Sequence, residues 1–179
     1  MLDSLLLQKR DDIVDAWFEF VIDTYPEDGG KFFKKQKDQF ANPVGSTIRV
    51  EISVLYDELI GEADPDRLSE SLDKIIKIRA VQEFSPSKAI SFVLALKGIV
   101  GEILGEDIVQ HDCADQFQKF KSSIDNLMLR AFDLYMDCRS RIHQIRLDEV
   151  RRRSDRLFER INEAPGNLHM ITDTEDISD

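Results

Sequence analysis

Five prolines divide this chain, and each stands where a helix has to begin or end. In Asn42-Pro43, Asp64-Pro65 and Ser85-Pro86 a short polar side chain precedes the proline. That order places an N-cap oxygen just outside a helix and proline at its first position, where the missing N–H is no loss. Pro26 in "DTYPEDGG" and Pro165 in "EAPGN" close helices instead, because proline cannot continue one. Between these marks apolar residues recur every three or four positions and almost nowhere alternate, so the chain is predicted to be all-α without strands.

The spacing predicts a first helix over residues 3–23, with Leu6, Ile13, Trp17, Phe20 and Val21 on one side, and a short segment over 31–40. Further helices are predicted over 43–61, 65–84 and 86–105, the last apolar nearly all round in "AISFVLALKGIVGEIL" and therefore placed at the centre. The final helix, over 107–163, would extend roughly 85 Å at about 1.5 Å per residue, longer than a domain of this size needs, so part of it is expected to leave the body. Along it Cys113, Phe117, Phe120, Ile124, Leu127, Ala131, Leu134 and Cys138 step by fours and threes as a heptad seam. Beyond Arg141 the seam degrades: Ile142 and Ile145 continue it, whereas Val150, Leu157 and Ile161 fall in a shifted register, which predicts a bend, a break or a looser coil.

At 179 residues the chain is long enough for one domain with a full core and an extension. The boundaries expected are a helical body over 1–140, an Arg-rich helical extension over 141–164 and an acidic, disordered tail over 165–179. Its formal net charge of -11 argues against general binding to nucleic acid or anionic membranes. The charge is uneven. Arg139, Arg141, Arg146, Arg151, Arg152, Arg153, Arg156 and Arg160 outnumber Asp148, Glu149, Asp155 and Glu159 over residues 139–160, whereas the tail holds acids alone. An acidic body followed by a basic helix suits self-association or a protein partner. No apolar run approaches a membrane span and the start "MLDSLLLQKRDD" lacks the layout of a leader, so a cytoplasmic protein is expected. Cys113 and Cys138, too far apart along one predicted helix to be bridged, are read as reduced, buried thiols.

No motif points to catalysis. In "FANPVGSTI" Asn42 caps, Pro43 begins the helix, and Gly45 is expected to let another helix approach; a phosphate loop would need more glycines and a lysine or a preceding strand. His111, His143 and His169 are scattered, with no pair at metal-ligating spacing, and His111 as an axial haem ligand is the weaker alternative to a capping or core-edge histidine. The carboxylates show no Glu-x-x-His pattern of a di-iron bundle. Arg79 and Lys77, with Gln82 and Glu83, read as a polar notch explained by surface pairing. In "RLDEVRRRSDRLFER" acids interleave with arginines at helical spacing, favouring salt bridges within and between helices over nucleic-acid binding.

"FANPVGSTI" followed by "LDKIIKIRAVQEFSPSKAISFVLALK" resembles the N-terminal domain of RsbRD-type co-antagonist proteins of bacterial stressosomes, over about residues 10–140. The pieces that carry it are Asn42, Pro43 and Gly45, the run Ile78 to Gln82 with Arg79, and the helix start Ser85-Pro86-Ser87. The resemblance implies a haem-free, globin-like bundle of about six helices with a long protruding C-terminal helix, dimerising through its helices and acting as a sensory or signalling module. In that family a STAS output domain usually follows; here one Arg-rich helix and an acidic tail stand in that place, and a free-standing form without the STAS domain is expected. Free-standing forms in anaerobic bacteria, sulfate reducers included, stand beside electron-transfer or sulfite-reduction proteins, which gives an accessory role in a redox complex as the alternative to stress signalling. The expectation is therefore a non-enzymatic regulator without cofactor or metal. It is expected to form a homodimer through the last helix with help from the first, the exposed Ile142, Ile145, Val150, Leu157 and Ile161 lying in the interface. A signalling or redox protein is the alternative occupant of that surface.

Overall fold

The computed structural model describes residues 1–25, 40–61 and 64–163. Among them it holds six helices and no strand: α1 (Leu2–Gln8), α2 (Arg10–Asp23), α3 (Pro43–Ile60), α4 (Pro65–Val81), α5 (Pro86–Gln110) and α6 (Ala114–Glu163). The all-α expectation holds. The chain divides into two compact units, Met1–Arg139 and a second beginning at Ser140. The segment predicted over 31–40, the closing prolines 26 and 165, and the acidic tail lie outside the described residues, apart from an exposed Phe40.

All three proline starts are found at the predicted residue. Asn42 Oδ1 accepts the Gly45 N–H at 2.8 Å, and Asp64 accepts the Asp66 and Arg67 N–H groups, so each satisfies donors that the first helical turn leaves orphaned. Ser85 stands at the N-cap of α5, but its hydroxyl faces Ser87 Oγ at 3.4 Å instead of capping. The crowding at Gly45 comes first from its own cap. A Cβ there would come within 2.7 Å of Asn42 Oδ1, so the glycine makes room first of all for the cap itself.

Helix ends differ more from expectation than helix starts. The predicted first helix is interrupted at Lys9, which separates α1 from α2 while its own N–H still reaches Leu5 O at 3.0 Å. α4 stops at Val81, three residues early, and α5 runs past Gly105 to Gln110, so residues 107–110 and Cys113 are not part of the last helix. Both stops have one cause. Glu83 (φ 61°) and Asp112 (φ 51°) adopt the left-handed conformation. Phe84 N–H then bonds Arg79 O at 3.3 Å and Glu83 N–H bonds Ala80 O at 3.3 Å, while Cys113 and Asp112 bond Ile108 O and Val109 O in the same way. This is the two-bond Schellman stop, built on residues other than its usual glycine.

The core of the first unit forms where α2, α3, α4, α5 and the first half of α6 meet. Trp17, Ile13, Val21 and Ile22 of α2 and Phe92, Val93 and Leu96 of α5 are all sealed from solvent, with Trp17 Nε1 donating to Phe92 O at 2.7 Å and the two rings stacked 6.1 Å apart. α5 is buried along one stripe rather than all round, and Leu94 and Val109 reach solvent; Phe20, expected inside, is also exposed. α6 packs through Phe120, Ile124, Leu127, Ala131 and Tyr135. Tyr135 thus takes the place predicted for the half-buried Leu134, and Phe117 and Cys138 are likewise half-buried, so only Cys113 is a buried thiol.

In the second unit α6 is helical from Ser140 to Glu163 without interruption, so the break expected beyond Arg141 is corrected: the stretch holds neither glycine nor proline, and a shifted apolar register alone does not end a helix. Hydrogen bonds one turn apart support it, from Gln144 to Asp148 at 2.9 Å and between Arg153 and Glu149.

Candidate functional site

The chemistry of the first unit concentrates where one end of α4 meets three other helices. Arg79 follows Leu72, Ile75 and Ile76 on the apolar stripe of α4 and is 0% exposed, so the expected surface pairing is overturned. Its Nη2 donates to Thr24 Oγ1 at 2.9 Å and to Lys88 O at 2.7 Å, joining the end of α2 to the start of α5. Among the described residues Nε and Nη1 have no hydrogen-bond partner. The guanidinium is instead enclosed by aromatic faces, with Phe84 at 4.4 Å, Tyr25 at 5.6 Å and Phe92 at 5.7 Å from Cζ. A cation held against ring faces gains electrostatic attraction that partly replaces water. Burial lowers the Arg79 pKa from its usual value, with Tyr25 acting in the opposite direction. Tyr25, raised by its own burial and pulled back by Arg79, donates to Gln82 Oε1 at 2.9 Å.

α6 closes the same junction. Tyr135 donates its hydroxyl to Phe84 O, and Arg139 Nη1 donates to Ala80 O at 3.2 Å, so the Schellman stop of α4 is gripped from outside. Arg79, Gln82, Ser85 and Pro86 therefore fall at one place, where α2, α4, α5 and α6 are tied together; Asn42, Pro43 and Gly45 form the separate cap of α3. The arrangement joins helices through a fixed cation, an amide, carbonyls and rings.

A second polar cluster lies between α2 and α3, around a cleft of about 290 Å³ lined by Arg10, Asp11, Val14, Asp15, Arg49 and Ser53. Arg10 grips Asp57 with two hydrogen bonds, at 2.6 and 2.7 Å, and its pKa is raised chiefly by that pairing. Arg49 pairs with Asp15 at 2.7 Å and lies 4.0 Å over the Phe18 ring. Both cations are neutralised within the cleft, which makes it a clasp between helices.

Among the described residues no group of three or more His, Cys, Asp or Glu side chains is arranged to hold a metal ion. His111 is exposed at the C-cap of α5, its Nδ1 2.9 Å from Asp107 O, which is a capping position and not a core one. No described helix is long and apolar enough to cross a membrane.

In each unit α6 carries exposed apolar side chains. In the first unit Leu129, Phe132 and Met136 of α6 project into solvent beside the packed Leu127, Ala131 and Tyr135. In the second unit Ile145, Val150, Leu157 and Ile161 are exposed and Ile142 is partly so. The buried arginine escaped sequence reasoning although a signal existed: stepping by threes and fours from Leu72 through Ile75 and Ile76 leads to Arg79. Nothing local signalled the Arg10–Asp57 clasp, whose partners are 47 residues apart.

The model for the family described as the RsbT co-antagonist protein RsbRD N-terminal domain matches residues 11–150. No curated protein and no solved structure matches the chain.

Proposed function

This chain belongs to the family of RsbT co-antagonist protein RsbRD N-terminal domains, and from that premise we propose that it is a non-enzymatic sensory and regulatory module that acts through protein contacts as a homodimer. The family relates it to stressosome regulation and is not a known enzyme family. The observation that carries the dimer is the outward face of α6 in the first unit, where Leu129 is 62%, Phe132 42% and Met136 45% exposed while the inward face of the same helix is packed. Spaced three and four residues apart, these side chains form a short seam that an identical seam can cover about a twofold axis. The junction at Arg79 supports the regulatory half of the reading, because a displacement of α6 there is felt by α2, α4 and α5 through Tyr135 and Arg139.

Sedimentation and light scattering of the full chain at low and high salt test the reading. A dimer at micromolar concentration is expected, converted to monomer by Phe132→Glu with the helical circular dichroism unchanged. A monomer in every condition would rule out the homodimer.

A further inference from the structure

From Ser140 onward α6 carries a second seam. Leu147, Val150, Ser154, Leu157 and Ile161 step by three, four, three and four, and the four apolar members are 39%, 64%, 58% and 68% exposed. A stripe this narrow, with a polar residue in its middle, has the form of a coiled-coil seam, whereas a helix lying in a membrane surface shows a broad apolar face. The charges beside it decide what can cover it. Arg146, Arg151, Arg153, Phe158 and Arg160 stand at the heptad positions that border a coiled-coil seam, where no acid stands, although Glu149 reaches Arg153 from one turn away. Asp148, Glu149, Asp155 and Glu159 fall on the far side of the helix. Around Leu157 the flanking arginines wall a recess of about 330 Å³ lined by Arg153, Arg156, Leu157 and Arg160.

A second copy fits this seam badly. In a parallel pair Arg146 would face Arg151 of the other copy, and in an antiparallel pair Arg146, Arg153 and Arg160 would face one another, so like charge meets like charge in either register. Nucleic acid and anionic lipid supply the right sign, but the chain is net acidic and turns four acids outward from this helix. We propose that the seam of α6 from Leu147 to Ile161 docks an amphipathic helix of a different protein, apolar at its seam positions and lined on both flanks by glutamate or aspartate. This rests on the reading of the chain as a contact module and names the partner class of that module's second surface.

The test uses the full chain and a fluorescent helical peptide of about four heptads, with Leu and Ile in its seam and Glu on its flanks, compared with the same peptide carrying Lys on its flanks. Fluorescence anisotropy should show the Glu peptide binding about tenfold or more tighter than the Lys peptide, with the preference shrinking as salt rises. The quadruple variant Arg146→Glu, Arg151→Glu, Arg153→Glu, Arg160→Glu should reverse the preference. Equal binding of the two peptides to the wild-type chain, or capture by phosphatidylglycerol vesicles or a DNA duplex while the Glu peptide stays free, overturns the proposal. Sedimentation of the same sample keeps the two readings apart. Peptide preference in a monomeric chain sinks only the homodimer, and an intact dimer indifferent to both peptides sinks only the acidic-helix partner.

Discussion

The body and the helix beyond Ser140 are built from the same kinds of residue, yet they treat their apolar side chains in opposite ways. In the body Trp17, Ile52, Ile75, Phe92 and Ile124 are wholly sealed from solvent. Beyond Ser140 every large apolar side chain that the helix carries is at least partly exposed, Ile161 by 68%. The body's helices therefore owe their stability to packing, whereas the later stretch depends on pairs one turn apart, worth about 0.2–0.5 kcal/mol each. An unburied seam on a helix supported so weakly is the surface that the proposed partner would cover; a buried one is simply fold.

The sharpest way to break that comparison is to truncate one apolar side chain in each region. Trp17→Ala removes a fully buried indole, its hydrogen bond to Phe92 O and its stacking on the Phe92 ring, so urea unfolding followed by far-UV circular dichroism should show a loss of about 3–5 kcal/mol. Leu157→Ala, at an exposed position, should leave the same transition within about 0.5 kcal/mol. Comparable losses at the two sites would mean that the later helix shares the body's core.

A smaller effect sharpens the comparison inside the body. Arg79 is a cation sealed among apolar residues, and its guanidinium reaches Thr24, Lys88 O and three rings together. Lysine keeps the charge but has no plane to lay on Phe84 and a more tightly bound hydration shell to give up. Arg79→Lys should destabilise by about 2–3 kcal/mol in the same assay. Arg153→Lys, at an exposed position beyond Ser140, should be neutral. A stable Arg79→Lys protein would show that charge alone, not the ring and carbonyl contacts, holds the junction together.

What the sequence disclosed divides along a physical line. Helix starts at Pro43, Pro65 and Pro86 were legible because capping is chemistry between neighbours in the chain. Helix ends were not, since the left-handed stops use Glu83 and Asp112, and neither carries the glycine by which such stops are usually read. The apolar stripes of α4 and the first half of α6 were legible as periodicity. That Arg79 points along one of them was present in the spacing but was outweighed by the rarity of buried arginine. The Arg10–Asp57 clasp and the grip of Tyr135 and Arg139 on α4 depend on tertiary proximity, which a single sequence does not encode locally.

The smallest expected effect tests the body's helix stops, a device absent beyond Ser140 through Glu163. Asp112 holds φ at 51°, a region costing a side chain about 1 kcal/mol that aspartate tolerates better than most. Glycine removes that strain but admits more unfolded conformations, and the two effects nearly cancel, so Asp112→Gly should stabilise by only a few tenths of a kcal/mol. Asp112→Val, β-branched and ill-suited to the left-handed region, should instead cost about 1–2 kcal/mol. The sign difference between the two variants is what matters, because it follows from φ and not from lost contacts. Urea midpoints that moved in the same direction for both would show that Asp112 acts through its carboxylate, and that α5 hands over to α6 by a side-chain interaction in place of the backbone bonds from Asp112 and Cys113 to Val109 O and Ile108 O.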